Sequence, residues 1–255
     1  MLQPSSRPLP RRASTVLSAR GLAKKFGQTL AVDRIDLAIA RGECFGILGP
    51  NGAGKTTTVE MLEGLIEPTA GSLTLFGMSW QRDAARLRSR IGIQLQQSQF
   101  PEGSTVEEVF RLFASFYRHG ALPEAMLDLV GLRSRRRALL SRLSGGERQR
   151  VALGVALAPE PDIVFLDEPT TALDPEVRRD LWHLIRRLKA GGRTIVLTTH
   201  YMEEAERLCD RVVILDQGRV IAAGRPADLM ACSSAASFDE AYVAIARRRR
   251  LGRTP

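Results

Sequence analysis

The sequence predicts an α/β fold with a mainly parallel sheet and a helical insertion. Three short runs, at residues 44–48, 162–167 and 194–199, are apolar almost throughout, as expected for strands covered on both faces. Stretches with helical periodicity separate them, and this alternation is typical of parallel α/β sheets. From about 98 to 155 the pattern is helical, so we expect a helical subdomain inserted in the α/β core.

Local signals predict the remaining elements in order. Residues 56–65 favour a helix, and residues 72–76 and 90–96 favour strands. The segment PEVRRDLWHLIRRLKAGG predicts a helix with Pro175 in its first turn and glycines after its end. Two short apolar runs within 211–224 flank a Gln-Gly pair and predict a β-hairpin.

The two ends differ in composition from the body of the chain. Residues 1–14 are rich in Pro, Ser and Arg and predict a flexible basic tail. We expect one domain over 15–235 and a basic helix or tail over 236–255.

Composition excludes several classes of protein. The 255 residues are 44% hydrophobic, 25% charged and 5% aromatic, which is ordinary for a globular protein. No stretch approaches the roughly 18 consecutive apolar residues of a membrane span, and the first 20 residues lack the apolar core of a secretory signal. The three cysteines are far apart in sequence, so we expect a reducing cytosol rather than a disulfide framework.

The net charge of +9 lies entirely at the two ends of the sequence. Residues 1–25 contribute +6 and residues 239–255 contribute +3, whereas the stretch between them has 26 cations and 26 anions. A nucleic-acid-binding domain is expected to carry its basic excess on the folded body, so we expect no nucleic-acid partner. The Arg-rich ends have two interpretations, contact with anionic lipid headgroups or solvated tails.

The strongest motif runs from Gly49 to Thr56, GPNGAGKT, and follows an apolar strand and precedes a helix. In this context the pattern GxxxxGK[ST] forms a phosphate-binding loop, whose backbone N–H groups point inward at a helix N-terminus. Lys55 is suited to the β- and γ-phosphates of a nucleotide, and the hydroxyl of Thr56 is suited to Mg²⁺. The alternative is a glycine-rich turn without a ligand.

A second part of the predicted site is the strand Ile163–Leu166, which ends in two acids, Asp167 and Glu168. Carboxylates at the C-terminal edge of a parallel sheet lie where α/β proteins bind their ligands. Asp167 is suited to holding Mg²⁺ through water, and Glu168 to orienting or deprotonating an attacking water. An acidic strand end alone is also compatible with a helix cap.

Further motifs identify a family resemblance. The segment LSGGERQ at 143–149 resembles the signature motif of ABC ATPases, the nucleotide-binding subunits of ABC transporters. Gln96 resembles the glutamine of the family's Q-loop, six residues after Arg90, and Asp174 the aspartate of its D-loop. His200 resembles its switch histidine. The resemblance covers roughly residues 16–230, with all motifs in order.

The resemblance implies a P-loop NTPase core with an antiparallel β subdomain and a signature-bearing helical subdomain. It also implies ATP and Mg²⁺ as cofactors. The residues that it assigns to nucleotide contact are Phe26, Gly49, Asn51, Gly52, Ala53, Gly54, Lys55, Thr56, Thr57, Ser144, Gly145, Gly146 and Asp174. It makes Glu168, His200 and Gln96 catalytic, with Thr56, Gln96 and Asp167 as metal ligands. For Phe26 the alternative is a core role, and for His200 a histidine satisfied at a strand end.

Since LSGG opens a helix, the chain has a second helix-terminal anion site in addition to the phosphate loop. One nucleotide does not easily fill both within one chain. The resemblance implies that two subunits, either two copies or a copy and a homologue, pack head to tail around two ATP molecules.

The functional prediction is an ATPase subunit at the cytoplasmic face of the membrane, with a separate transmembrane permease subunit. We expect the segment around Phe100–Tyr117 to meet that partner. Similarity to exporters of drugs, lipids or polysaccharides favours export, and the alternative is a soluble ABC ATPase acting on nucleic acid or ribosomes. The run Arg133–Arg137 before the signature is typical of a solvated face.

Overall fold

The computed structural model describes residues 15–95, 100–101 and 103–250. In chain order the elements are β1 (Thr15–Phe26), β2 (Thr29–Ala40), β3 (Cys44–Leu48), α1 (Lys55–Glu63), β4 (Ala70–Leu75), α2 (Trp80–Arg88), β5 (Ile91–Gln94), α3 (Val106–Ser115), α4 (Pro123–Leu129), α5 (Gly145–Ala156), β6 (Ile163–Asp167), α6 (Pro175–Ala190), β7 (Thr194–Thr199), α7 (Met202–Leu208), β8 (Arg211–Asp216), β9 (Arg219–Gly224), α8 (Pro226–Ser233) and α9 (Phe238–Arg250). Short 3-10 turns lie at Arg133–Arg135 and Leu140–Arg142. The described residues divide into a first unit, residues 15–80 with 198–250, and a second unit, residues 81–197.

The first unit contains the antiparallel sheet, in the strand order β2-β1-β4. β1 and β2 form a hairpin in which Phe26 pairs with Thr29, so Phe26 lies at the tip. Alternate residues of β2, namely Ile35, Leu37 and Ile39, are buried, which gives this part of the sheet one apolar face.

The first unit also contains β3, which is buried along its whole length and pairs in parallel with β8. β8 pairs antiparallel with β9 through Gln217 and Gly218, which both have positive φ. This turn geometry is common in two-residue hairpins, and the predicted hairpin is confirmed.

The first unit also contains α1 and three C-terminal helices. α7, α8 and α9 pack on one another, and Phe238 and Ala241 of α9 are fully buried. The last turns of α9 carry arginines, Arg247 among them.

The second unit contains the parallel pair β5–β6 and most of the helices. α3 begins with a capping box between Thr105 and Glu108, and it packs on α5, where the ring of Phe110 lies against Gly154. The buried residues Val106, Val109 and Phe110 follow the predicted helical period.

The fold class is confirmed as α/β, with parallel strand pairs and a separate antiparallel sheet. Within the residues described above, no helix has both the length and the apolar character to cross a bilayer.

Candidate nucleotide site

Two glycines shape the loop that follows β3. Gly49 has φ 153°, and a Cβ at this position would overlap the carbonyl oxygen of Leu215. Gly54 has φ 97°, and a Cβ there would lie 2.6 Å from the carbonyl oxygen of Ala31. Both positions therefore require a residue without a side chain, for backbone conformation and for space.

The N-terminus of α1 has the features of an anion site. Gly54 is its N-cap and supplies no side-chain hydrogen bond, and the first turn contains no acid. Gly54 therefore offers no capping oxygen to the first backbone N–H groups of α1, and the helix dipole favours negative charge there.

Lys55 lies inside this loop and is 5% exposed. Its Nζ donates to the carbonyl oxygen of Gly49 at 3.0 Å and to that of Pro50 at 3.3 Å. These contacts hold the ammonium within the curve of the loop that is predicted to bind phosphates.

The other loop residues differ in exposure. Asn51, Gly52 and Thr56 are exposed and Thr57 is partly exposed. Ala53 is buried, and its carbonyl oxygen accepts from the backbone N–H of Gly218 at 3.0 Å, so the β8–β9 turn supports the loop from behind.

Phe26 is 49% exposed, which does not fit the alternative of a core residue. The Nζ of Lys24 lies 5.0 Å from the centre of its ring, and it also donates to the carbonyl oxygen of Glu67. A ring at the tip of a hairpin with a cation near it is available to stack on a base.

His200 is exposed and follows directly after β7. Its ring centre lies 4.2 Å from that of Tyr201, whose backbone N–H donates to Thr199 Oγ1. The phosphate loop, Phe26 and His200 all belong to the first unit.

The acidic end of β6 lies in the second unit. Asp167 is 6% exposed, and Glu168 has φ 46°, a strained conformation for a residue with a side chain. The hydroxyl of Thr171 donates to Glu168 Oε2 at 3.0 Å, which orients this carboxylate.

The serine-glycine turn at 144–146 opens α5 as predicted. Ser144 is the N-cap, and its Oγ accepts from the backbone N–H of Glu147 at 3.2 Å. In return, Glu147 Oε2 accepts from the backbone N–H of Ser144 at 2.9 Å, which completes a capping box.

Asp174 is connected to this turn by the side chain of Val177. Its Oδ1 accepts from the backbone N–H groups of Glu176 and Val177, so it caps α6. The side chain of Val177 fills the space where a Cβ of Gly146 would lie. Within the second unit, the Asp174 cap and the serine-glycine turn are therefore packed together.

A further contact joins α5 to the loop after β6. Gln149 Nε2 donates to the carbonyl oxygen of Pro169 at 2.7 Å, one residue after Glu168. Gln96 lies outside the described residues, whereas the nearby Gln94 is buried at the end of β5.

Sequence reasoning missed two polar contacts. Arg135 Nε donates to Glu147 Oε1 at 2.8 Å, and Thr171 holds Glu168. The hydrogen bond from the backbone N–H of Ser144, and then that from Arg135, hold the pKa of Glu147 below its usual range. The spacing SGGE in 144–147 was a signal for the capping box, but no local pattern marks Arg135.

Residues 32–171 match the family model described as ABC transporter, which is more than half of the chain. The chain belongs to the ABC transporter ATPase family. The predicted resemblance, the P-loop NTPase fold and the ATP-binding and ATPase activity that the family carries are thereby confirmed.

Two relatives indicate which members of the ABC family this chain is similar to. It is 41% identical to Nod factor export ATP-binding protein I of Ralstonia nicotianae over 238 residues, 90% of this chain and 73% of the relative. It is 43% identical to the protein of the same name from Paraburkholderia xenovorans over 213 residues, 82% of this chain and 70% of the relative. Because both are named for export, the comparisons do not favour the alternative of an ABC ATPase acting on nucleic acid or ribosomes.

Solved structures agree with the fold. An ATP-binding subunit of an ABC transporter has a TM-score of 0.81 and 31% identity, over 91% of this chain and 100% of that one. A dimeric ATP-binding cassette in a post-hydrolysis state, bound to ADP and Pi, has a TM-score of 0.71 and 28% identity, over 82% of this chain and 98% of that one.

Proposed function

We propose that this ABC ATPase is the energy-supplying subunit of an exporter, acting at the cytoplasmic face of the membrane with a separate transmembrane permease subunit. Support comes from the family match and from relatives named for Nod factor export. The observation that carries the ATP-binding part is the phosphate loop, in which Lys55 lies among loop carbonyls beside an uncapped helix N-terminus.

We further propose that two subunits enclose two ATP molecules. The phosphate loop of one subunit holds the triphosphate, and Ser144, Gly145 and Gly146 of the other subunit cover it. The dimeric relative bound to ADP and Pi supports this arrangement. So does the capping box, because it holds Ser144 at the start of α5, where the helix N-terminus favours an anion.

Each remaining site residue has a proposed role. Phe26 stacks on adenine. Glu168 accepts a proton from the attacking water, with its carboxylate oriented by Thr171. His200 contacts the γ-phosphate, Gln96 contacts the metal and the water, and Asp174 lies along the seam between the subunits.

The predicted Mg²⁺ ligands supply the donors that this ion prefers. Thr56 offers an exposed hydroxyl and Asp167 a carboxylate at a strand end, and Mg²⁺ takes oxygen ligands while keeping several waters. With Gln96 these residues would hold the ion, which when bound neutralises charge on the phosphates.

The proposed surface for the permease lies on the second unit. Phe100, Phe113 and Phe116 form a chain of edge-to-face rings with centres 5.9 and 5.6 Å apart. Phe116 is 64% exposed and Leu122 69% exposed. Exposed apolar side chains of this size support a protein contact at this surface. The Arg-rich ends are proposed to lie near anionic lipid headgroups.

Replacing Glu168 by Gln tests the two-subunit site. The variant removes the proposed base but keeps the shape and one hydrogen-bond acceptor, so we expect turnover to be lost while ATP stays bound. Gel filtration with ATP and Mg²⁺ should then give a dimer, and omission of ATP should give a monomer. A Glu168→Gln chain that binds ATP and remains monomeric would contradict the proposal.

A further inference from the structure

Glu147 places a negative charge beside the serine-glycine turn. Its carboxylate lies at the N-terminus of α5, where it accepts from the backbone N–H of Ser144. A carboxylate is favourable at a free helix N-terminus, but it repels an anion that approaches the same N–H groups. Glutamine at this position would complete the same capping box without the charge.

Arg135 offsets this charge. Its Nε lies 2.8 Å from Glu147 Oε1, on the carboxylate oxygen that does not bind Ser144. Arg135 thereby holds the carboxylate of Glu147, and that carboxylate holds the backbone N–H of Ser144. The three residues form a chain of contacts.

The surroundings of this chain of contacts are polar and open. A cavity of about 310 Å³ adjoins the turn and is lined by Ser134, Arg135, Ser144, Gly146, Glu147 and Arg150, among others. The other guanidinium, that of Arg150, is bound to Asp180 and to the carbonyl oxygen of Val130. Of the two arginines that line this cavity, Arg135 is therefore the one that binds Glu147.

We propose that Arg135 is a positioning residue for the ATP-covering turn: by neutralising and orienting Glu147, it keeps the N-terminus of α5 attractive to the triphosphate held by a second copy. This rests on the two-subunit site proposed above. Arg135 acts through Glu147 and Ser144 and does not itself need to touch the nucleotide.

The chain offers a matched control two residues away. Arg133 lies on the same 3-10 turn, carries the same charge and pairs with Asp128, but it does not line the cavity. Arg133→Ala therefore changes the net charge as Arg135→Ala does, without affecting Glu147. Arg135→Lys is the conservative variant, since the pair is joined by a single N–O contact that an ammonium also makes.

The measurement is the dissociation constant of the ATP-bound dimer, obtained by analytical ultracentrifugation in the Glu168→Gln background with saturating ATP and Mg²⁺. The Arg135–Glu147 pair exists in the monomer as well, so the quantity that changes on dimerisation is the repulsion between Glu147 and the triphosphate. An interaction between exposed charges is worth a factor of roughly two to five, and a dimer contains two such sites, so Arg135→Ala should weaken the dimer about tenfold at low salt. The loss should shrink at high salt, because it is electrostatic. Arg135→Lys and Arg133→Ala should match the parent.

A second variant separates charge from structure. In the Arg135→Ala chain, Glu147→Gln removes the uncompensated charge and keeps the cap, so it should restore the dimer to within about twofold of the parent. Binding of a fluorescent ATP analogue to the monomer should be equal in all variants, because that step uses the phosphate loop of the first unit.

Two outcomes would overturn the proposal. If the parent dimerises with ATP but Arg135→Ala behaves like Arg133→Ala, or if Glu147→Gln does not restore the dimer, Arg135 has no positioning role and the two-subunit site stands. If the parent itself forms no dimer with ATP, the two-subunit site fails and the role of Arg135 fails with it.

Discussion

At the scale of single residues, Lys55 illustrates how local structure prepares a side chain for function. Its long stem is buried and its Nζ is held by the carbonyl oxygens of Gly49 and Pro50. In the proposed role, the ammonium would therefore lose little conformational freedom on exchanging a carbonyl for a phosphate oxygen. Glycine at positions 49 and 54 makes this possible, because only glycine fits the loop.

Lys55→Ala should weaken ATP binding and abolish turnover. A hydrogen bond to a charged group is worth about 1.5–3 kcal/mol, so the dissociation constant for ATP should rise roughly ten- to a hundredfold. Equilibrium titration with a fluorescent ATP analogue measures the binding, and phosphate release measures the turnover.

Lys189→Ala is the control for that substitution. Lys189 lies in the last turn of α6 in the second unit, so removing it makes the same change in net charge outside the phosphate loop. If Lys55→Ala bound ATP as tightly as the unmodified chain does, Lys55 would not have the proposed role.

Residues differ in how well the sequence predicted their placement. The loop at 49–57 and the starts of α5 and α6 follow from patterns within a few positions, because a turn and the helix after it are fixed locally. The pair Arg135–Glu147 spans twelve positions, and its two side chains meet only through the packing of the second unit. The Arg133–Arg137 run was predicted as a solvated face, and this is consistent with the exposure of Arg133 and Arg135.

At the scale of elements, the contact between α5 and α6 depends on one close pair of residues. Gly146 in the first turn of α5 lies against Val177 in the first turn of α6, with no room for a Cβ between them. Asp174 caps α6 at the same residue, Val177. The position of the serine-glycine turn is therefore tied to the start of α6.

Gly146→Ala should destabilise the protein by about 1–3 kcal/mol, the usual cost of overpacking, because the β-branched Val177 has little rotamer freedom with which to move away. Gly145→Ala is the matched control, since nothing lies within 4 Å of a Cβ at that position. Urea unfolding followed by circular dichroism compares the two free energies of unfolding.

Adding Val177→Ala to Gly146→Ala makes room for the new methyl group, so part of the lost stability should return. If Gly146→Ala and Gly145→Ala were equally stable, the close packing of α5 on α6 would be disproved.

Among the strands, the ones that the sequence did not specify are the irregular ones. β1 and β2 are each twelve residues long, but their pairing shifts register several times, and Gly21 and Arg34 have positive φ. Such irregularities interrupt the alternation of apolar and polar residues by which a strand is recognised. The β8–β9 hairpin was predictable, because its turn residues and its alternation both lie within fourteen consecutive positions.

At the scale of the whole molecule, the distribution of charge and the similar proteins bear on whether this ABC ATPase serves export or acts on nucleic acid. The body of the chain has equal numbers of acids and bases, and its basic excess lies at the ends. A nucleic-acid-binding domain is expected to carry its basic excess on the folded body, so no nucleic-acid partner is expected. The relatives are named for export. This expectation comes from the sequence alone, because a charge count and an ordered set of motifs need no tertiary information.

If two subunits build each site, the ATPase activity of the purified chain must depend on its concentration. Mass action makes the dimer fraction fall on dilution, so the turnover per chain should decrease as the chain is diluted below its dimer dissociation constant. We expect a roughly proportional decrease at the lowest concentrations. Phosphate release measured over a hundredfold dilution series, with an inert carrier protein to prevent adsorption, tests this. Turnover per chain that stays constant through the series would mean that one subunit carries a complete site, and Ser144 would then have no part in covering the nucleotide of another copy.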